Sequence, residues 1–363
     1  MHELTLGGAQ RVIVNIVNAM DKELYETHLC VFNNKGQLLN EIDEDVLVHN
    51  MDKKRVLFGI LSFFRLILKL KPNVVFTGFT HINTLTSLGI PIFNLIKRNI
   101  LFVTREVNNP SIRSKYLKKS KLLDKVYKRT INNFDLVIAQ SSYMKKDIVR
   151  SYHISEEKVK VVPNPINLDI INQKLQEQIT DSFGKKESFN ILAVGGLRFQ
   201  KGFDQLLEIV EKSDQKFYFT IIGEGQERGN LEQIISERNL HHRVTLLGAR
   251  SNPYKYIKDS DLFILTSRYE GFPNVVLEAN ACGNFVVAYN CPGVDEEIIK
   301  EGINGSLVEV GNSSMFCDKL NKYSKTDHDK NSIISGVIKY DSLNIAKIYV
   351  KTFENSEKCK SNR

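Results

Sequence analysis

The sequence predicts an α/β protein of two doubly wound domains, each a parallel sheet covered by helices on both faces. Three observations carry that prediction. Short β-branched apolar runs alternate with segments whose apolar residues recur at helical spacing, which is the pattern of parallel strands joined by crossover helices. The alternation breaks at Pro163-Asn164-Pro165, where proline removes a ladder donor and restricts its predecessor, and it resumes near Phe189. At 363 residues the chain also exceeds the usual single domain.

Residues 7–20 open on Gly7 and Gly8 and continue with Val12, Ile13, Ile16, Val17 and Met20 at helical spacing, a glycine turn leading into a helix. Strands are expected at 27–32, 74–79, 100–104, 136–139 and 159–162, and helices near 56–70, 85–96, 117–131 and 143–152. The polar stretch 172–188 has little periodicity, so residues 1–165 form the first domain, 166–188 a linker and 189–340 the second domain. A last helix over 342–353 leads the 341–363 tail. A doubly wound domain places its glycine loop after a central apolar strand, yet only Met1 to Leu6 precede Gly7. The expectation is that Met1 lies near the end of that strand, with roughly six to ten further residues upstream of it.

The formal charge of +8 is uneven: residues 1–165 carry 25 Lys and Arg against 15 Asp and Glu, which leaves 25 against 27 for the rest. A basic surface of this kind suits anionic lipid or a lipid diphosphate; no nucleic-acid motif accompanies it, and nucleic acid is not an expected partner. The five cysteines are widely spaced, without metal-ligand or disulfide-framework patterns, as suits a reducing cytoplasm. No apolar run approaches the length needed to cross a bilayer.

The richest stretch is 267–283, S-R-Y-E-G-F-P-N-V-V-L-E-A-N-A-C-G, which reads as a loop between the strand Leu262 to Leu265 and a helix with Pro273 in its first turn. Such a start would leave the amides of Asn274 and Val275 free for an anion, with Glu270 before the helix and Glu278 inside it available to neutral hydroxyls. That is a site for a phosphorylated sugar. Upstream, I-L-A-V-G-G-L-R-F-Q-K sets Arg198 and Lys201 in a loop at the carboxyl end of a strand, where open α/β sheets bind ligands. Their cations suit a diphosphate, although a single surface cation is usually only solvated.

These segments, followed by G-N-F-V-V-A and P-G-V-D-E-E-I-I, resemble the donor-binding part of the retaining family 4 glycosyltransferases of GT-B fold. The resemblance implies two doubly wound Rossmann-like domains facing across a cleft, and transfer of a sugar from a nucleotide-sugar donor, UDP-linked, with retention. It implies a glycan or polyprenyl-diphosphate-linked glycan acceptor, in cell-surface polysaccharide synthesis on the inner face of the cytoplasmic membrane. Glu270, Lys201 and Arg198 would be catalytic. Donor binding would fall to Gly7, Gly8, Arg198, Lys201, Ala249, Arg250, Glu270, Gly271, Phe272, Pro273, Asn274, Val275 and Glu278, with Glu278 on the ribose and Ala249-Arg250 toward the nucleobase. The cations would replace a metal ion, so no metal or other cofactor is expected. The family often has arginine where this chain has Gly196, and Arg198 is the substitute at hand. A non-catalytic nucleotide-sugar-binding protein is the alternative reading.

On the acceptor side His81, Glu106 and Asn108 follow predicted strands, and the histidine that many relatives carry near Glu106 is missing. Three patterns are discounted. Gly223 to Gly229 has one residue too many for a dinucleotide fingerprint; Asp259-Ser-Asp261 precedes a strand, where aspartates end helices; His241-His242 lacks further ligands. Two segments bear on a membrane. Residues 56–70 are apolar with a narrow stripe of Ser62, Arg65 and Lys69, read as a helix packed on a sheet, with partial lipid contact as the alternative. Residues 113–129 hold eight Lys and Arg and one acid, Asp124, a basic surface suited to anionic lipid.

Overall fold

The most apolar runs of the chain become strands, and in the computed structural model these strands gather into two separate units, described over residues 1–5, 7–53, 55–96, 99–116, 121–181 and 183–356. One unit comprises Met1–Ile166 and the chain from Tyr340 onward; the other is Asn167–Lys339.

The first unit runs α1 (Gly8–Asn18), β1 (His28–Val31), β2 (Leu47–Asn50), α2 (Val56–Leu70), β3 (Val74–Thr77), α3 (Thr80–Leu95), β4 (Leu101–Arg105), α4 (Pro110–Tyr116), α5 (Lys121–Thr130), β5 (Leu136–Ala139), α6 (Ser142–Tyr152) and β6 (Val159–Val161). Its strands are parallel but fall into two sheets, β1-β2 and β3-β4-β5-β6. Between them lies a cavity of about 600 Å³, lined by His28 to Cys30, by Val74 to Thr77 and by Ile13, Ile16 and Val17 of α1. The first residues follow the end of β1: the Met1 ammonium donates to Cys30 O at 2.6 Å, and Phe32 N–H to Met1 O at 2.8 Å. Burial of this amine lowers its pKa to about 6.

The second unit runs α7 (Leu168–Lys174), β7 (Phe189–Val194), α8 (Phe203–Lys212), β8 (Phe217–Ile222), α9 (Arg228–Glu237), β9 (Val244–Gly248), α10 (Tyr254–Asp259), β10 (Leu262–Leu265), α11 (Asn274–Ala281), β11 (Val286–Tyr289), β12 (Gly305–Val308), α12 (Ser313–Tyr323) and α13 (Lys330–Ser335). Its six strands are all parallel in the order β12-β11-β10-β7-β8-β9. The order reverses between β7 and β10, which makes their carboxyl ends the switch point of a doubly wound sheet. One core, including Ile191, Leu206, Phe219, Ile264, Val287 and Phe316, runs under it. The final helix, α14 (Ser342–Glu354), belongs to the first unit, where Ile345 and Tyr349 pack with Val12, Leu101 and Ile138.

Several elements depart from the sequence reading. Within the stretch read as a linker, α7 forms, capped by the Asn167 side chain on Ile170 N–H at 2.9 Å, and it packs on α10 and α11. Helix α3 starts at Thr80 rather than near 85, because Asn83 bonds both the N–H and the C=O of Phe79 and closes a turn that the polar residues had hidden. The basic helix expected over 117–131 is described only from Lys121; residues 117–120 lie outside the described residues, as does Cys359. Helix α2 is not wholly packed on its sheet: Leu57, Phe58, Leu61 and Leu68 are exposed.

Candidate functional site

Lys201 follows β7 and Glu270 follows β10, so the switch point brings two side chains 69 residues apart to 2.7 Å between Nζ and Oε1. The local backbone explains how. After β7 the chain turns through Gly195 and Gly196 into a single 3-10 turn, Phe199–Lys201. Gly202 then takes a left-handed φ of +62° to start α8; a Cβ there would meet Thr266 O at 2.2 Å. Lys201 is thereby pressed against the β10 loop, and the Thr266 hydroxyl donates to its carbonyl at 3.2 Å.

Glu270 is buried and well supplied with donors. Besides Lys201, the Ser267 hydroxyl reaches Oε1 at 2.6 Å and the Gln200 amide reaches Oε2 at 3.3 Å. From below, Gly293 (φ +88°) comes so near that an added Cβ would stand 2.1 Å from Glu270 O, a position only glycine fills. Arg268 clamps the two loops together. Its guanidinium forks onto Asp204 of α8 at 2.8 and 2.5 Å, donates to Phe199 O at 2.9 Å and lies over the Phe199 ring. Burial opposes charge on Asp204, but the Arg268 bonds outweigh it and hold this carboxyl below the ordinary aspartate range. The sequence reading passed over Arg268, Ser267 and Gln200; the first two stand inside the S-R-Y-E-G motif and were legible there as its polar members.

Arg198 caps the 3-10 turn and is exposed; among the described residues no acid pairs with it, and its Nε lies 3.5 Å from where a Cβ on Gly196 would stand. At α11 the expectation needs correction. Pro273 is the cap, with ψ 74°, rather than the first helical residue, and this bends Asn274 N–H onto Phe272 O at 3.0 Å. Val276 N–H in turn reaches Pro273 O at 2.9 Å, and among the described residues no acceptor is found for the Val275 amide at this helix start. Glu278 lies one turn on and half-buried. Gly271, Phe272 and Pro273 make the loop between Glu270 and that turn.

The other predicted residues are placed differently. Arg250 is bound to Asp181 at 2.7 Å and to Ala249 O at 3.1 Å, so this guanidinium ties its loop to the segment before β7. Asp261 spends its carboxylate on Asn190 N–H at 2.7 Å, joining β10 to β7. Gly7 and Gly8 lie in the other unit at the start of α1, where a Cβ on Gly8 would meet open space.

Glu106, expected to face acceptor hydroxyls, is buried. Tyr127 OH donates to it at 2.5 Å, and Arg113 stands 3.7 Å away while holding Asp124 at 2.9 Å, Tyr152 OH at 3.0 Å and Thr80 at 2.8 Å. Burial raises the Glu106 carboxyl above its ordinary range although Arg113 and Tyr127 pull the other way. This is a core network, and it also removes Arg113 from the solvated basic surface. Asn108 is half-buried in the turn before α4, and His81, on the first turn of α3, is exposed with its ring edge-on to His2.

Comparison with known proteins agrees with this architecture. Residues 6–170 match the family model for Glycosyltransferase Family 4, and residues 176–339 match that for Glycosyl transferases group 1. An uncharacterized glycosyltransferase of Methanocaldococcus jannaschii is 30% identical over 83% of this chain and 78% of its own length. The N-acetylgalactosamine-N,N'-diacetylbacillosaminyl-diphospho-undecaprenol 4-alpha-N-acetylgalactosaminyltransferase of Campylobacter jejuni is 30% identical over 87% of both chains. Among solved structures, Anabaena HepE in complex with UDP-glucose superposes with a TM-score of 0.76 at 18% identity, covering 98% of each chain. The two parallel-sheet units are the Rossmann-like domains of a GT-B fold, and the chain belongs to the family 4 glycosyltransferases.

Proposed function

We propose that this glycosyltransferase moves a sugar from a UDP-linked donor to a polyprenyl-diphosphate-linked glycan in cell-surface polysaccharide synthesis, with retention at the anomeric carbon. The observation that carries the reading is the Lys201–Glu270 pair at the β7/β10 switch point, with α11 starting in the same β10 loop. Names of relatives support the substrate classes: the Campylobacter jejuni enzyme acts on a diphospho-undecaprenol-linked sugar, and Anabaena HepE was solved with UDP-glucose.

In this reading the Lys201 ammonium and the exposed Arg198 take the charge that develops on the leaving diphosphate, and Val275 N–H adds a backbone donor. Glu270, Gly271 and the Phe272–Val275 turn hold sugar and phosphate, while Glu278 holds the ribose hydroxyls. Because Glu270 already accepts from Lys201, Ser267 and Gln200, a sugar hydroxyl exchanges into an existing network rather than meeting a bare carboxylate. The bond from the anomeric carbon to the diphosphate oxygen breaks, the bond to the acceptor oxygen forms, and the acceptor's proton passes to the leaving phosphate. No metal enters, since fixed cations stand where neutralisation is needed. In the first unit, His81 and Asn108 serve the acceptor.

The test is a thermal-shift screen of UDP-, GDP- and ADP-sugars followed by a transfer assay on a polyprenyl-diphosphate glycan. A UDP-sugar should stabilise the protein and yield an α-linked product from an α-linked donor. A product of opposite anomeric configuration removes retention, and binding without any transfer points to the non-catalytic reading.

A further inference from the structure

Residues 53–105 contain nine Lys and Arg and not one Asp or Glu, in a chain with 42 acidic residues. Within this stretch α2 and α3 lie side by side: a Cβ on Gly89 would stand 2.3 Å from the Phe64 ring, and Phe64 meets Phe93 edge-on at 5.7 Å. Each helix buries one apolar face and exposes a second. Leu57, Phe58 and Leu61 of α2 are 62 to 65% exposed, and Leu88, Ile92 and Leu95 recur on α3 at a spacing of one helical turn, with Leu95 at 81%. Exposed Arg55, Arg65, Lys69 and Lys71 accompany them.

A helix that carries apolar residues on its outer face as well as on its packed one leaves the outer stripe in need of cover. At 15 and 16 residues these helices are too short to span a bilayer. Exposed apolar stripes on adjacent helices, rimmed by cations, are the kind of surface that marks an interaction site. A second copy docked by two-fold symmetry would set cations against cations, with no acid in the stretch to answer them. Anionic headgroups answer them and offer acyl chains to the leucines.

We infer that the outer faces of α2 and α3 form a bilayer-insertion surface, with Leu57, Phe58, Leu61, Leu88, Ile92 and Leu95 entering the acyl boundary of an anionic membrane. This deepens the lipid-linked acceptor reading, but it is tested with neither donor nor acceptor, so either can fail alone.

The chain has no tryptophan, so one introduced indole reports without background. Leu61→Trp in the full chain is mixed with vesicles of phosphatidylcholine alone, and with vesicles of equal parts phosphatidylcholine and phosphatidylglycerol, each with and without brominated acyl chains. Ile303→Trp, exposed in the other unit, is the control. The expected result is a blue shift and bromine quenching for Leu61→Trp in the anionic vesicles only, none for the control, and binding that salt weakens but does not abolish. Phe58→Gln/Leu61→Gln/Ile92→Gln, all at exposed positions, should lower vesicle partitioning roughly tenfold or more while circular dichroism stays unchanged. Unquenched Leu61→Trp on vesicles that bind the protein, or partitioning of the triple variant within about twofold of wild type, overturns the inference. So does a dimer in sedimentation that the triple variant dissociates, since the occupant is then a second copy.

Discussion

The two units use the same parallel architecture and treat charge at their strand ends in opposite ways. In the second unit the carboxyl ends of β7 and β10 carry Lys201, Glu270, Arg268 and Asp204 in pairs that keep some exposure, on a continuous six-stranded sheet. In the first, the carboxyl end of β4 sinks Glu106 under Tyr127 and Arg113, and the sheet is parted by a cavity. Charge kept at a surface can be lent to a ligand; charge sealed in a core is committed to the fold. Arg113 and Lys201 are both cations beside a glutamate, the first shut into a core network and the second partly exposed at a sheet edge.

Removing Arg113 should produce the largest effect, and on stability. Arg113→Ala leaves the buried Glu106 and the Asp124 carboxylate without their cation, and we expect about 3 kcal/mol or more off the unfolding free energy in urea titration. A loss below about 0.5 kcal/mol would place this network with ordinary surface pairs instead.

Lys201→Ala should do the reverse. Turnover at saturating donor is expected to fall on the order of 10²-fold, with the melting temperature close to wild type. Activity within about threefold of wild type would deprive the switch-point pair of its catalytic assignment.

Arg268→Lys tests the clamp between the loops. Lysine cannot reproduce the fork onto Asp204, so kcat should drop roughly tenfold, the worth of one charge-assisted hydrogen bond. Donor affinity in calorimetry should change less than kcat; equal losses in both would make Arg268 a direct donor contact.

The pH dependence separates the units further. Asp204 is held below the ordinary aspartate value of about 4, so its stabilisation is present above that value and is lost as pH falls through the depressed pKa. Glu106 is raised, so its contribution is present below the ordinary glutamate value and is lost as pH rises through the raised pKa. Urea midpoints across pH should lose the acid-side slope in Asp204→Asn and the slope above about 4.3 in Glu106→Gln. Unchanged slopes in both variants would assign the pH response to other groups.

The smallest expected effect is none. Excess EDTA should leave the transfer rate unchanged, and restoration by added Mg²⁺ or Mn²⁺ after a loss would return Asp259 and Asp261 to consideration.

Where the fold is built from runs local in sequence, the chain was readable. The apolar runs of β7 to β12 and the S-R-Y-E-G-F-P loop announce the second unit, and Lys201 and Glu270 stand out because each lies in the loop after such a run. What was not readable depends on a partner distant in sequence or on one dihedral angle. Nothing local to Glu106 tells that Tyr127 closes over it from 21 residues away. Nothing in F-P-N tells that Pro273 sits one position before the helix and turns the Asn274 amide onto Phe272. Arg250 looked available because its partner, Asp181, lies in a stretch without periodicity. The outer stripes of α2 and α3 illustrate the same limit, since an apolar helix reads alike whether its second face meets protein or lipid.

The chain leaves the first unit at Ile166 and re-enters it at Tyr340, and these two points are stitched together: Ile166 N–H donates to Tyr340 O at 2.9 Å, and Ser342 N–H to Ile166 O at 2.8 Å. In genetic terms the second unit is therefore a cassette inserted into the first, its ends brought side by side at one backbone bridge. A gene exchanging residues 167–339 for those of a relative would join at a place where both seams are already closed, so the inserted unit can be replaced by recombination while the backbone bridge of the first unit passes on intact.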